Sequence, residues 1–297
     1  MKELTILSGK GGAGKTSVTA ALASFASNAV FCDNDVDAAD LHLIFKPEII
    51  ETHNFSSGAI ASINLDNCIN CEVCESSCRF HAIHLNNDGF PEVNPLQCEG
   101  CRLCERICPA DAIITHQNFN NHWFVSDTRF GKLVHAKMGP GEENSGKLVS
   151  RIREKARDIA REIKADFILN DGPPGIGCAA ISSVTGTDLV VLVIEPTVSG
   201  LHDARRVIKL VESFKVPIFV IVNKYDINSE TSSEVERYLK EISVPVLGRI
   251  PFDTHMVESM VNEMTILEFD SLNPLNRELE NIWAKLEFIL KENSNQK

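Results

Sequence analysis

Short, continuous apolar runs recur along the chain, at residues 4–7, 29–32, 167–169, 189–194, 218–222 and 246–250. Between most of them, segments of helical character cover 15–27, 147–163, 200–213 and 230–241. A strand with one face in water alternates apolar and polar side chains, whereas a strand covered on both faces does not. Continuous Val/Ile/Leu runs alternating with helices therefore predict a mostly parallel sheet with helices on both faces, an α/β doubly wound architecture. Near the end, Leu275, Leu279, Ile282, Leu286, Ile289 and Leu290 form one apolar stripe. It predicts a helix packed on that sheet, because the tail KENSNQK is not the basic cluster of a membrane-surface helix.

The alternation fails from about 63 to 117, a stretch with eight of the ten cysteines and no long helical period. The runs before and after it share one pattern, which favours an insertion within a single α/β domain over two domains in tandem. The expected organisation is the first part of that domain over 1–62, an inserted domain over 63–117 and the second part over 118–297.

The insertion is an internal repeat. Cys68, Cys71, Cys74 and Cys78 recur 30 residues later as Cys98, Cys101, Cys104 and Cys108, and Ala82-Ile83 recurs as Ala112-Ile113. The spacing C-x2-C-x2-C-x3-C, twice, resembles the run of bacterial two-cluster ferredoxins. There, three cysteines of one run and the last cysteine of the other hold each 4Fe–4S cluster. The resemblance assigns Cys68, Cys71, Cys74 and Cys108 to one cluster and Cys98, Cys101, Cys104 and Cys78 to the other, in a small α+β ferredoxin domain. Structural zinc uses two separated ligand pairs, a pattern that interleaved runs do not match. One departure stands out: the second run ends Cys108-Pro109 and the first ends Cys78-Arg79. A guanidinium there would stabilise a reduced, more negative cluster; a solvated arginine is the plainer alternative.

Composition narrows the partners. The net charge of −12 is opposite to a nucleic-acid footprint, so no nucleic-acid partner is expected. There is no run of 18 apolar residues and no signal-peptide pattern in MKELTILSGK, so no membrane partner and a cytoplasmic location are expected. The cytosol keeps thiols reduced, which makes metal binding or catalysis the expectation for the cysteines. Residues 64–117 carry eight acidic and three basic side chains, a net −5 that suits docking to a basic patch on a redox partner.

The stretch GKGGAGKT, residues 9–16, follows the first apolar run and opens the first helix. It fits G-x-x-x-x-G-K-S/T, the phosphate-binding P-loop. Backbone N–H groups of Gly9, Gly11, Gly12, Ala13 and Gly14 are expected to turn inward around phosphate oxygens. Lys15 is expected to reach the β- and γ-phosphates, Thr16 to offer its hydroxyl to Mg2+, and Ser17 to follow at the helix N-terminus. The cradle has no need of Lys10.

That loop resembles the deviant Walker A of MinD/Mrp-type ATPases, which include ParA-like proteins and the nitrogenase iron protein. The resemblance implies that Lys10 reaches across a dimer to the partner's phosphates, as an arginine finger does. CDNDVDAADL, after the second apolar run, resembles switch I. It implies that Asp35 positions the attacking water, with Asp33 and Asp37 beside it. ILNDGPPGIG resembles the Walker B strand and switch II, which implies that Asp171 holds Mg2+ through water and that Gly172 and Gly175 let the loop follow the γ-phosphate. IEPTVSGLHDARR resembles the family's loop after the next strand. At VNKYD, residues 222–226, the resemblance implies that Asn223 reads adenine beneath the loop Pro251-Phe252-Asp253. The same residues match N-K-x-D of GTPases, in which Asp226 would pair with guanine; ATP is the expectation and GTP stays open. Cys178 lies seven residues after Asp171, near where the nitrogenase iron protein has a cluster cysteine. A bridging cluster needs two cysteines per subunit, and Cys32, at a strand end, is expected to pack in the core, so Cys178 is expected to be an ordinary thiol.

With its ferredoxin insertion the chain resembles a narrower group of MinD-like ATPases. The implied protein binds and hydrolyses ATP with Mg2+, releases ADP, and forms a homodimer, or a heterodimer with a similar ATPase, when ATP binds. Three functions fit: ATP-gated electron transfer through two 4Fe–4S clusters, delivery of clusters to an acceptor protein, or redox-sensitive assembly. Complete four-thiolate sets look built to retain iron, which favours electron transfer or sensing. The partner is then a redox protein or a cluster acceptor.

Overall fold

A computed structural model describes residues 1–56, 58–118, 121–139 and 145–292. Its elements in chain order begin β1 (Lys2–Ser8), α1 (Lys15–Ala23), β2 (Ala29–Asp33), α2 (Leu41–Phe45), β3 (Glu48–Phe55) and β4 (Gly58–Ile63). Then come α3 (Val73–Ser76), β5 (Ile83–Leu85), β6 (Pro91–Val93), α4 (Leu103–Ile107), β7 (Ile113–Asn118), β8 (Asn121–Thr128) and β9 (Gly131–Lys137). The remainder is α5 (Ser145–Glu162), β10 (Phe167–Pro174), α6 (Cys178–Val184), β11 (Leu189–Ile194), α7 (Val198–Ser213), β12 (Ile218–Asn223), α8 (Ser229–Glu241), β13 (Val246–Ile250), α9 (Thr254–Val261), α10 (Ile266–Phe269) and α11 (Pro274–Glu292). The chain divides into two compact units. One comprises Met1–Thr52, Trp123–Ala136 and Gly146–Lys297; the other comprises His53–His122 and Lys137–Ser145, a larger piece than 63–117.

The sheet has nine strands in the order β13-β12-β11-β1-β10-β2-β9-β8-β3. From β13 to β9 every neighbouring pair is parallel. Alternate residues of one strand feed opposite cores. In β11, Leu189, Val191 and Val193 pack with α1 and α11 residues such as Leu22 and Leu286, while Val190, Leu192 and Ile194 pack with Val207, Ile208 and Val235 of α7 and α8. Burial on both faces is why these strands read as unbroken apolar runs. The stripe of α11 lies in the first of these cores, with Leu279, Ile282 and Leu286 fully buried. Among the described residues no helix is long and apolar enough to cross a membrane.

Parallel pairing brings the strand ends that carry chemistry into line. Asp33 stands opposite Asp171 between β2 and β10, and Ile6 opposite Asp171 between β1 and β10. Helix α1 ends at Ala23, four residues before the expected position. Ser24 and Phe25 close tighter turns onto Ala21 and Leu22, and Asn28 takes a left-handed φ of 52° that redirects the chain into β2.

In the second unit β4 pairs antiparallel with β7, and β5 with β6. The 30-residue repeat is visible in the backbone. Asn70 and Gly100, Glu72 and Arg102, and His81 and Asp111 are repeat mates, and all six have positive φ between 47° and 61°. The core is likewise made of mates: Ile83 with Ile113, and Ile63 with Val93, around the buried Cys74.

Candidate functional site

The loop between β1 and α1 turns through left-handed glycines, Gly12 at φ 80° and Gly14 at φ 87°. A Cβ on Gly14 would collide with Asn223 Nδ2, and one on Gly9 would lie 2.8 Å from Asp203 Cβ. Gly11 faces open space, so its small size leaves room beside the loop. The loop is braced from behind: Asn223 Nδ2 donates to Ala13 O at 2.8 Å, and Lys224 Nζ to Gly12 O at 3.0 Å. The structure thus gives Asn223 a loop-fixing bond that the sequence did not suggest.

Lys15 is buried, with Nζ 2.9 Å from Asp171 Oδ2 and 3.6 Å from Asp35 Oδ2. Burial alone would lower its pKa. The carboxylates of Asp171, Asp33 and Asp35 outweigh that, so the ammonium is held above the ordinary lysine range. Asp171, almost fully buried, accepts from Thr16 Oγ1 at 2.8 Å on one oxygen and from Thr19 Oγ1 at 2.7 Å on the other. Thr19 Oγ1 also lies 3.0 Å from Lys15 O. Sequence reasoning missed Thr19. Its signal is its position, one helical turn after Lys15 on the same face. Cation, hydroxyl and carboxylate are joined in one network, a donor set that fits phosphate oxygens and Mg2+.

The aspartates after β2 divide their work. Asp33 is fully buried and accepts from Asp35 N at 3.2 Å and Leu41 N at 3.1 Å, which fixes the turn that follows. Burial, with Asp171 alongside, pushes its carboxyl well up. Asp35 reaches the cluster from that turn, and burial raises its carboxyl to about 6 against the pull of Lys15.

Lys10 points elsewhere. Its Nζ lies 3.0 Å from Thr197 Oγ1 and 3.4 Å from Glu195 Oε2, at the end of β11 and the start of α7. Glu195 also faces Lys224 at 3.7 Å. Gly172 is a strand residue of β10, and a Cβ there would lie 2.5 Å from Leu7 Cδ2. Its smallness serves the approach of β10 to β1, which differs from the expected loop freedom. Gly175, at φ 81° in open space, is the residue with that freedom.

Ser17 Oγ contacts Met260 Sδ of α9 at 2.7 Å. Pro251 is partly buried in the loop before α9, Phe252 is exposed, and Asp253 caps the helix through His255 N at 2.8 Å. Cys32 is fully buried in the core, and burial pushes its thiol well up. Cys178 is exposed at the start of α6.

The profile of the CobQ/CobB/MinD/ParA nucleotide binding domain matches residues 4–266. The protein MJ0578 of Methanocaldococcus jannaschii is 33% identical over 293 residues, 97% of each chain. Septum site-determining protein MinD complexed with Mg-ADP, from Pyrococcus horikoshii, covers 97% of this chain and 96% of its own at TM-score 0.58 and 17% identity. The MinC:MinD cell division complex of Aquifex aeolicus includes a chain matching 96% of each at TM-score 0.58 and 21% identity. At these identities the two structures show a shared fold. A P-loop whose lysine, threonine and buried aspartate already form one network lies inside the matched residues, and the chain belongs to the CobQ/CobB/MinD/ParA nucleotide-binding family, as an ATP-binding ATPase of the MinD/ParA type.

Proposed function

We propose that this ATPase uses its nucleotide cycle to govern electron transfer through two 4Fe–4S clusters held by the second unit. The observation that carries this reading is how the eight cysteines sort. Cys98, Cys101, Cys104 and Cys78 line a cavity of about 330 Å³, which Cys74 also touches. Cys68, Cys71, Cys74 and Cys108 line another of about 20 Å³. Each cavity has three cysteines of one run and the last of the other, the interleaving of two-cluster ferredoxins. Ala82 N donates to Cys78 Sγ and Ala112 N to Cys108 Sγ, each at 3.3 Å.

Among the described residues no three His, Cys, Asp or Glu side chains gather as a single ion requires. Thiolates on four separate irons of a cube stand farther apart than ligands of one ion, which sit about 2.3 Å from it. What supports the cluster reading is the ligand count and interleaving of the two four-cysteine sets. Such clusters, when bound, supply one-electron transfer at low potential.

In the nucleotide site Lys15 would hold the β- and γ-phosphates, and Thr16 and Asp171 the Mg2+. Asp35, raised toward neutral pH yet beside Lys15, would accept a hydrogen bond from the attacking water. Lys10 would serve a second subunit's phosphates, in a homodimer or in a heterodimer with a similar ATPase. Asn223 and the Pro251 loop would hold the base. Adenine is favoured by the family resemblance; Asp226 Oδ1 accepts from Phe252 N at 2.6 Å, a bond that ties this carboxylate to the Pro251 loop.

A second reading is delivery of clusters to an acceptor protein. Exposure of Cys71 and Cys101, one in each set, supports it. Protein purified without oxygen should contain about eight iron and eight sulfide per chain, from two cubane clusters. Its reduced form should give the EPR signals of two coupled clusters. Stoichiometric zinc in place of iron would overturn the proposal.

A further inference from the structure

The 30-residue repeat makes the two cysteine sets near copies, so differences between them are informative. Several features are matched. Each set receives one backbone N–H bond on its borrowed cysteine, at the same 3.3 Å. Each has one exposed cysteine, Cys71 or Cys101. The backbone at the mates Glu72 and Arg102 is the same left-handed turn, with φ 59° and 61°.

The charges around the sets are not matched. The cavity of Cys98, Cys101, Cys104 and Cys78 is lined by two exposed arginines, Arg79 and Arg102, and one glutamate, Glu99. The cavity of Cys68, Cys71, Cys74 and Cys108 is lined by one carboxylate, Glu72, and no basic residue. The repeat mate of Arg102 is thus Glu72, and the mate of Arg79 is Pro109. Charge is inverted at one equivalent position and removed at the other. The second cavity is also tighter and walled by Ile63, Ile69, Pro91 and Ile113.

We infer that Arg79 and Arg102 make the Cys98–Cys101–Cys104–Cys78 site the electron sink of the pair, and that Glu72 makes the other site the electron source. The inference rests on the two-cluster reading. Reduction adds one negative charge to a group already anionic through its four thiolates. Nearby guanidiniums lower the cost of that charge, while a carboxylate and an apolar wall raise it. Backbone hydrogen bonds to sulfur, another lever on potential, are equal and so do not oppose the bias. Transfer within the pair is balanced without a further reagent: the Cys68 site loses one electron and the Cys98 site gains it. The first electron entering the module therefore rests beside Arg79 and Arg102, the side from which it leaves to an acceptor.

The test is an anaerobic redox titration followed by EPR, with iron counted on each sample. Cys71→Ser and Cys101→Ser identify the two signals, since each changes one ligand of one set. With one electron per chain, most of the signal should belong to the set changed by Cys101→Ser. Arg79→Gln with Arg102→Gln should move the two reduction steps together, and Glu72→Gln should narrow them from the other side. Raising salt on the unaltered protein should also narrow them, because exposed charges are screened within about 10 Å at 0.1 M; this arm needs no variant to fold. Eight irons per chain with the first electron on the set changed by Cys71→Ser, or with both steps coincident at low salt, would overturn this inference alone. Fewer than two clusters per chain would overturn the reading beneath it, and the inference with it.

Discussion

Lys10 Nζ is bonded to Thr197 Oγ1 of its own chain, 3.0 Å away, and Thr197 Oγ1 also accepts from Gly200 N at 2.9 Å to cap α7. A lysine expected to act on a neighbouring subunit is therefore tethered to a helix start in its own. Lys10→Ala should keep ATP binding, because Lys15, Thr16 and the loop amides remain. It should weaken ATP-dependent dimerisation and lower turnover, since a cation is missing where phosphoryl charge develops. Glu195→Gln should loosen the tether and strengthen dimerisation by up to about fivefold, the scale of a partly exposed ion pair. Sedimentation with and without ATP reads both. Mixed dimers of Lys10→Ala and Asp35→Ala chains should recover activity at the one site that has Asp35 and receives a partner's Lys10. No recovery in proven mixed dimers would place Lys10 in its own site.

Thr19 offers a separate test of the Mg2+ site. Thr19→Val keeps the shape but removes the bond to Asp171 Oδ1. A buried carboxylate oxygen is then left without its donor, at a cost of roughly 1–3 kcal/mol in stability. The carboxylate also loses its orientation, and Mg2+ affinity should fall about 10- to 100-fold, as when a metal ligand loses its supporting bond. Chemical denaturation and Mg2+ titration of ATP binding read the two effects. Unchanged Mg2+ affinity would remove Thr19 from the site.

Asp35 gives the pH dependence. In the role proposed for it, its ionised form accepts from the attacking water, so kcat/KM should rise with pH through an apparent pKa near 6, the value burial gives the free carboxyl. Asp35→Asn should lack that limb and hydrolyse ATP at least about 100-fold more slowly, while still binding it. Stability runs the other way. The folded chain holds this proton to higher pH than the unfolded chain, whose aspartates titrate near 4. The contribution is therefore fully present below about 4 and is lost as pH rises to about 6. Asp35→Asn should flatten that part of the stability profile in urea titrations.

Much of this was legible in the chain. The apolar runs of β1, β2, β10, β11 and β12 were legible because these strands lie inside the sheet, and β13, an edge strand that reads VLGRI with Arg249 exposed, was legible from Val246, Leu247 and Ile250. β3, β8 and β9 were not legible. β3 reads EIIETHNF, with no fully buried residue, and β8 mixes Asn, His, Ser and Asp among its apolar side chains. β3 is the other edge of the sheet and β8 lies beside it, and the polar residues such strands carry break a continuous run. The P-loop was legible because its residues are adjacent in sequence. Thr19 on Asp171, and Thr197 and Glu195 on Lys10, are separated by more than 150 residues, and only strand order brings them together. Gly172 was legible as a glycine but not for its reason, because the pressure on it comes from Leu7 on the neighbouring strand.

The central claim, that nucleotide state governs electron transfer, is tested most directly by anaerobic stopped-flow. Reduced protein is mixed with a one-electron acceptor, with and without MgATP, while cluster absorbance and protein-bound iron are both followed. MgATP should change the rate at which electrons leave while iron stays with the chain, and Lys15→Ala should abolish the difference. Equal rates with and without MgATP, or loss of iron together with the electrons, would contradict the account.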